Sequence, residues 1–90
     1  MPVTDNAAKH RFELEVEGHV AFAEYTLEGK TITFTHTVVP EQLGGKGVGS
    51  KLASGALDLV RSKGLRVVAQ CPFIAGYIAK KSEYQDLLKS

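Results

Sequence analysis

Three observations predict an α/β (α+β) domain, an antiparallel three-strand meander followed by β-α-β-α with one parallel pair of strands. The first half of the chain alternates apolar and polar residues with period two, broken at Gly18 and at Glu28-Gly29. From Val48 to Val60 the apolar residues recur at helical spacing instead. A short apolar run, Leu65 to Gln70, follows the glycine that ends this helical pattern.

The elements follow in order. Met1 to Lys9 is polar and unpatterned, which reads as a flexible end of a single domain covering residues 1–90. Arg11 to Glu17 sets Phe12, Leu14 and Val16 against Glu13, Glu15 and Glu17, a half-buried strand with an acidic outer face. His19 to Leu27 and Lys30 to Val39 are the second and third strands, and connections this short make the three antiparallel. In the third, Ile32, Phe34, His36 and Val38 are expected on one face and Thr31, Thr33, Thr35 and Thr37 on the other. Pro40 ends that strand because it cannot donate to a ladder. A helix from about Gly47 to Lys63 turns Val48, Leu52, Ala56, Leu59 and Val60 inward, and Gly64 stops it. Leu65 to Gln70 reads as a buried strand that the helical crossover sets parallel to the third. Pro72 then opens a second helix to Lys81, with Phe73, Ile74, Tyr77 and Ile78 inward. Ser82-Glu83-Tyr84-Gln85 has capping-box spacing and starts a short terminal helix.

Composition narrows the function. The net charge of +1 has both signs interspersed, which argues against a nucleic-acid partner or a membrane surface. No apolar run is long enough to cross a bilayer, and no secretory leader is legible. One cysteine and three scattered histidines give no metal-ligand spacing, so no metal is expected. A single cysteine fits a reducing compartment, and the cytoplasm is the expected location.

The chemistry-bearing stretch runs from Val38 to Leu52 and holds four glycines in six residues, at 44, 45, 47 and 49. A strand that turns through glycines into a helix aims unpaired backbone N–H groups and the positive end of the helix dipole at one spot. An anion, above all a pyrophosphate, fits there; the bland alternative is a surface loop with a glycine-rich turn. A Walker A loop would end Gly-Lys-Ser/Thr, whereas this one reads Gly49-Ser50-Lys51, and Gly45-Lys46-Gly47-Val48-Gly49-Ser50 breaks the dinucleotide fingerprint at its third glycine. The pattern that fits is Gln/Arg-x-x-Gly-x-Gly/Ala, as Gln42-Leu43-Gly44-Gly45-Lys46-Gly47.

That pattern resembles the acyl-CoA signature of the GNAT superfamily of N-acetyltransferases. His36-Thr37-Val38-Val39-Pro40-Glu41, Cys71-Pro72-Phe73-Ile74 and Glu83-Tyr84-Gln85-Asp86-Leu87 extend the resemblance to the compact GNAT-like family, over nearly the whole chain. The resemblance implies a reduced GNAT-like fold whose parallel strands splay to admit the CoA arm, with acetyl-CoA as acyl donor and an amine as acceptor. It implies backbone bonds from Val38 and Val39 to pantetheine, and a pyrophosphate held by Gln42, Gly44, Gly45, Lys46, Gly47, Val48, Gly49 and Ser50. Gly44 stands where the family usually has arginine, which removes one phosphate partner. Cys71 falls on the family's proposed catalytic cysteine, as a nucleophile or as an acid for the CoA thiolate; the bland alternative is a small buried residue. His36 is the candidate base, against a packed core histidine, and Glu41 is the other candidate. Tyr77 and Tyr84 read as packing, with Tyr84 the alternative acid. Full-length GNAT enzymes insert helices between their first two strands; Glu17-Gly18-His19 leaves no room for them. The acceptor side is therefore expected to be open, which suits a protein-borne amine. The competing function is a CoA or acyl-CoA binding module without turnover.

Overall fold

Residues 3–88 are described by a computed structural model. Five strands, β1 (Thr4–Asn6), β2 (Arg11–Val16), β3 (His19–Glu28), β4 (Thr31–Val38) and β5 (Arg66–Ala69), lie side by side in chain order. The first four pair antiparallel, and β5 runs parallel to β4 through the crossover helix α1 (Val48–Ser62). Helix α2 (Pro72–Lys80) follows, then a 3-10 segment, Ser82–Leu87. No helix among the described residues is long and apolar enough to cross a membrane.

One face of the sheet carries the core. Phe12 and Leu14 of β2, Ala21, Ala23 and Tyr25 of β3, and Ile32 and Phe34 of β4 pack against Leu52, Ala56, Leu57 and Val60 of α1 and Ile74 and Ile78 of α2. The opposite face presents Glu13, Glu15, Phe22, Glu24 and Thr33, and both helices pack against the core on the other side. Helix α1 ends where its sequence predicts, with Gly64 at φ 68° taking the left-handed conformation that other residues adopt only with strain.

The strand β1 corrects the expectation of a loose end over 1–9, of which residues 1 and 2 lie outside the described part. Thr4–Asn6 pairs with Arg11–Glu13, and Asp5 ties it down from two sides. Tyr25 donates its phenol to Asp5 Oδ1 at 2.6 Å, and Lys63 Nζ lies 2.9 Å from Oδ2. Three polar residues are too short a run to show periodicity, and their anchors lie far along the chain. Phe73 is a second correction, since its ring is 42% exposed rather than inward. The terminal segment forms 3-10 turns without a side-chain cap. Arg61 holds it instead, with both guanidinium nitrogens 2.9 Å from Asp86 and one bond to the Glu83 carbonyl.

A third correction shapes the site. Glu24 pairs with His36 and Tyr25 with Phe34, so one step along β3 spans two residues of β4, and Thr35 is the extra one. An extra residue in one strand bends it and shifts side-chain alternation by one position. Beyond the bulge, Thr37 faces inward opposite Ala23, while His36 turns outward with Glu24. His36 therefore does not share the face of Ile32 and Phe34, and its side chain is 73% exposed.

Burial, together with the bond to Asp5, raises the Tyr25 pKa to about 12. A group whose pKa is raised on folding stabilises the fold fully below its unfolded value and loses that contribution as pH rises through the folded one. Denaturant titrations should show stability falling between about pH 10 and pH 12, and Tyr25→Phe should remove that part of the decline.

Candidate functional site

The parallel ladder between β4 and β5 stops at Phe34↔Ala69, immediately before the bulge. Gln70 and Cys71 both direct their N–H groups at the Phe34 carbonyl, at 3.1 and 3.0 Å, and so close the ladder. Strand β4 continues to Val38 without β5 beside it, leaving a notch at the carboxyl ends of the two strands. Ligands of α/β sheets bind at such a place because diverging strands free backbone donors and acceptors.

Cys71 sits at the base of this notch. It is the N-cap of α2, in extended conformation ahead of Pro72, and is 4% exposed. Its Sγ lies 3.1 Å from Thr37 Oγ1, a contact that exists because the bulge turns Thr37 inward. Val39 packs against the core, whereas Val38 stays 43% exposed at the rim.

The glycine loop lies above the notch. After Pro40 the chain makes a 3-10 turn, Glu41–Leu43, that buries Leu43 and leaves Glu41 and Gln42 exposed. Gly44 donates its N–H to Glu41 O at 2.9 Å, so it is not a free donor, against the sequence expectation. Lys46 N–H reaches Leu43 O at 3.4 Å. The first helical bond of α1 runs from Lys51 to Gly47 O. That leaves the N–H groups of Gly45, Gly47, Val48, Gly49 and Ser50 without an acceptor among the described residues. Gly45 at φ 77° and Gly47 at φ 70° are left-handed, and this lets the backbone fold over the start of the helix. A cradle of consecutive unpaired donors at the N-terminus of a helix fits a diphosphate.

Charge at the loop is partly neutralised from within. Lys46 Nζ lies 2.7 Å from Glu17 Oε2, and this bond holds the Glu17 carboxyl below the usual carboxylate range. Glu17 and Gly18 are both left-handed, at 53° and 79°, the two-residue hairpin turn that joins β2 to β3. The partner of the loop lysine thus comes from a turn far away in sequence, which no local spacing reveals.

Two other candidates stand apart from Cys71. His36 faces Glu24 across the outward face, Nδ1 to Oε1 3.6 Å, and lines a recess there with Lys9, His10 and Thr35. Tyr84 is buried against α1, where its phenol donates to Asp58 Oδ1 at 2.8 Å and meets Ser54 Oγ at 3.1 Å. Burial raises its pKa, so the proton stays on that bond. Among the described residues no group of three or more His, Cys, Asp or Glu is placed to hold a metal ion.

Residues 11–87 match the family of GCN5-related N-acetyl-transferases. This chain belongs to that family, and the five-strand sheet with its crossover helix is the family's fold in reduced form. A GCN5-like protein of Staphylococcus aureus, assigned as an N-acetyltransferase and solved in solution by NMR, is similar over 98% of this chain and 87% of its own. The two share 27% sequence identity and superpose with a TM-score of 0.73. Among curated proteins no sequence matches the chain. The family generally uses acetyl-CoA as acyl donor.

Tyr84→Phe should lower stability by about 1 kcal/mol, the net worth of a buried hydrogen bond, seen as a fall of a few degrees in Tm. Acetyl-CoA binding measured in parallel should be unchanged, because the phenol serves α1 and not the notch. Deleting Thr35 should have the opposite signature. The deletion keeps the present facing of His36 and Thr37 and regularises the ladder, so the domain should remain folded while its affinity for acetyl-CoA drops.

Proposed function

We propose that the protein is an acetyl-CoA-dependent N-acetyltransferase whose acceptor is a protein-borne amine reaching the notch from the uncovered face of the sheet. The observation that carries the reading is the set of five N–H groups, at Gly45 and from Gly47 to Ser50, that have no acceptor among the described residues and lie above parted parallel strands. The residues present suit the donor molecule. The loop backbone would take its diphosphate, with Ser50 Oγ as a further donor. The free edge of β4 at Val38, continued into Val39, would pair with the pantetheine amides. Lys46 would answer phosphate charge only by leaving Glu17.

The transfer forms one N–C bond and breaks one C–S bond; the amine loses a proton and the departing thiolate gains one. His36, oriented by Glu24, is the group for the amine proton, since both stand on the acceptor side. Cys71 serves the thiolate end. In one route its Sγ takes the acetyl group, its own proton passing to CoA, and the amine then attacks the new thioester. In the other it only protonates the leaving thiolate. No helix among the described residues covers the acceptor side, which leaves room for a polypeptide carrying the amine.

A second reading is an acyl-CoA binding module without turnover. The near-complete burial of Cys71 and the outward placement of His36 favour it.

Thermal unfolding with acetyl-CoA separates these readings from a mere turn at the glycines. At a hundred times the dissociation constant the ligand should add about 2.7 kcal/mol, a shift of several degrees in a domain this size. No shift at millimolar ligand would overturn both readings. Cys71→Ala should keep the shift and lose acetyl transfer to a lysine peptide; undiminished transfer would remove Cys71 from the chemistry. Intact mass after acetyl-CoA treatment should show one acetyl group on Cys71 only if the first route operates.

A further inference from the structure

Two rows of the outward sheet face each set a carboxylate of β2 beside an apolar side chain of β3. Glu13 is opposite Phe22, and Glu15 is opposite Val20. We propose that the second row seats a basic residue of a cationic acceptor polypeptide, about three or four positions from the lysine that is acetylated. This rests on the transferase reading and adds to it the class of polypeptide that the face selects.

The first row shows how such a seat works, because the chain fills it with its own arginine. The Arg11 guanidinium carbon stands 4.3 Å from the centre of the Phe22 ring, and Nε lies 2.6 Å from Glu13 Oε2. Asn6 donates to the same carboxylate oxygen at 3.2 Å and steadies it. A long basic side chain settles where apolar surface takes its stem and a carboxylate takes its head. The second row has the same two parts. Glu15 and Val20 are both exposed, and Glu15 makes no ion pair among the described residues.

The sheet also sorts the charges of a nearly neutral chain. Lys51, Arg61 and Lys80 belong to the helices on the core side. Glu13, Glu15 and Glu24 stand on the outward face, where Arg11 answers Glu13 and Lys9 lines the recess beside Glu24. Glu15 is left unanswered, so a partner crossing this face gains by carrying positive charge there.

The register then sets the spacing. Val38, at the rim of the notch, lies in the first row opposite Phe22. From Val38 to the second row is one to two strand spacings across and two residues along, about 10 to 12 Å. An extended polypeptide covers that span in about three or four residues. Its intervening side chains meet the apolar strip of Val20, Phe22 and Val38, which a free polyamine would leave uncovered.

The test uses short peptides with one lysine and one arginine, titrated into isotopically labelled protein by NMR and assayed for transfer from acetyl-CoA. The arginine stands next to the lysine, or three or four positions away on either side. The spaced peptides should bind about fivefold more tightly, the upper end for an exposed ion pair, and should shift the amide signals of Glu15, Val20 and Phe22. Glu15→Gln should erase the preference and leave the thermal shift with acetyl-CoA unchanged. Equal affinities for all spacings, a preference that survives in Glu15→Gln, or signal changes confined to α1 and α2 would overturn the proposal. So would equally tight binding of spermine, or the same signal changes on concentrating the protein without peptide, the mark of a contact between copies. Spaced peptides that bind at Glu15 and receive no acetyl group would uphold the seat and remove the transferase reading. Acetylation at one rate whatever the spacing would uphold that reading and remove the seat.

Discussion

One extra residue in β4 governs the geometry of this domain. Thr35 and His36 together oppose Glu24, and from that point the strand bends and its side chains exchange faces. The parallel partner β5 stops at the same level, its last N–H groups converging on the Phe34 carbonyl. With Thr35 kept in regular alternation, β4 would turn Thr37 to the outer face, away from Cys71. With the bulge, the sheet ends in a notch with a thiol at its base and a donor-rich loop above it.

The rest of the fold secures a sheet that the described residues cover on one side only. A core confined to one face leaves the edges and termini poorly tied by burial alone, and specific polar contacts do that work. Asp5 joins β1 to both β3 and the end of α1. Arg61, and Tyr84 through Asp58 and Ser54, fasten the terminal segment to one face of α1. Leu88 adds a bridge to Val67 on the outer edge of β5. These ties stand in place of the second layer that a larger α/β domain would use, and they leave the outward face of the sheet uncovered.

Most of the fold was legible because period two and period 3.6 are written directly in Phe12 to Val16 and in Val48 to Val60. The glycine loop was legible as a donor-rich turn from strand to helix, and its motif carried the family. Three things were not. Thr4–Asn6 shows no pattern because its anchors, Tyr25 and Lys63, lie elsewhere in the chain. The inward turn of Thr37 and the outward turn of His36 follow from a register shift that alternating threonines conceal, since Thr-x-Thr reads the same on either side of a bulge. The engagement of the Gly44 N–H depends on how tightly the turn after Pro40 winds, and composition does not encode it.

The contact between Lys46 and Glu17 changes what the loop offers an incoming ligand. Its lysine already has a counterion, supplied by the chain itself, so arrival of a diphosphate is an exchange of one anion for another. The attraction that remains without exchange comes from backbone dipoles, which are short-ranged and directional. Selectivity at the loop then follows the shape and spacing of acceptor oxygens more than total charge. On the proposed function, the hairpin turn that supplies Glu17 would be part of the binding equilibrium of a loop it never adjoins in sequence.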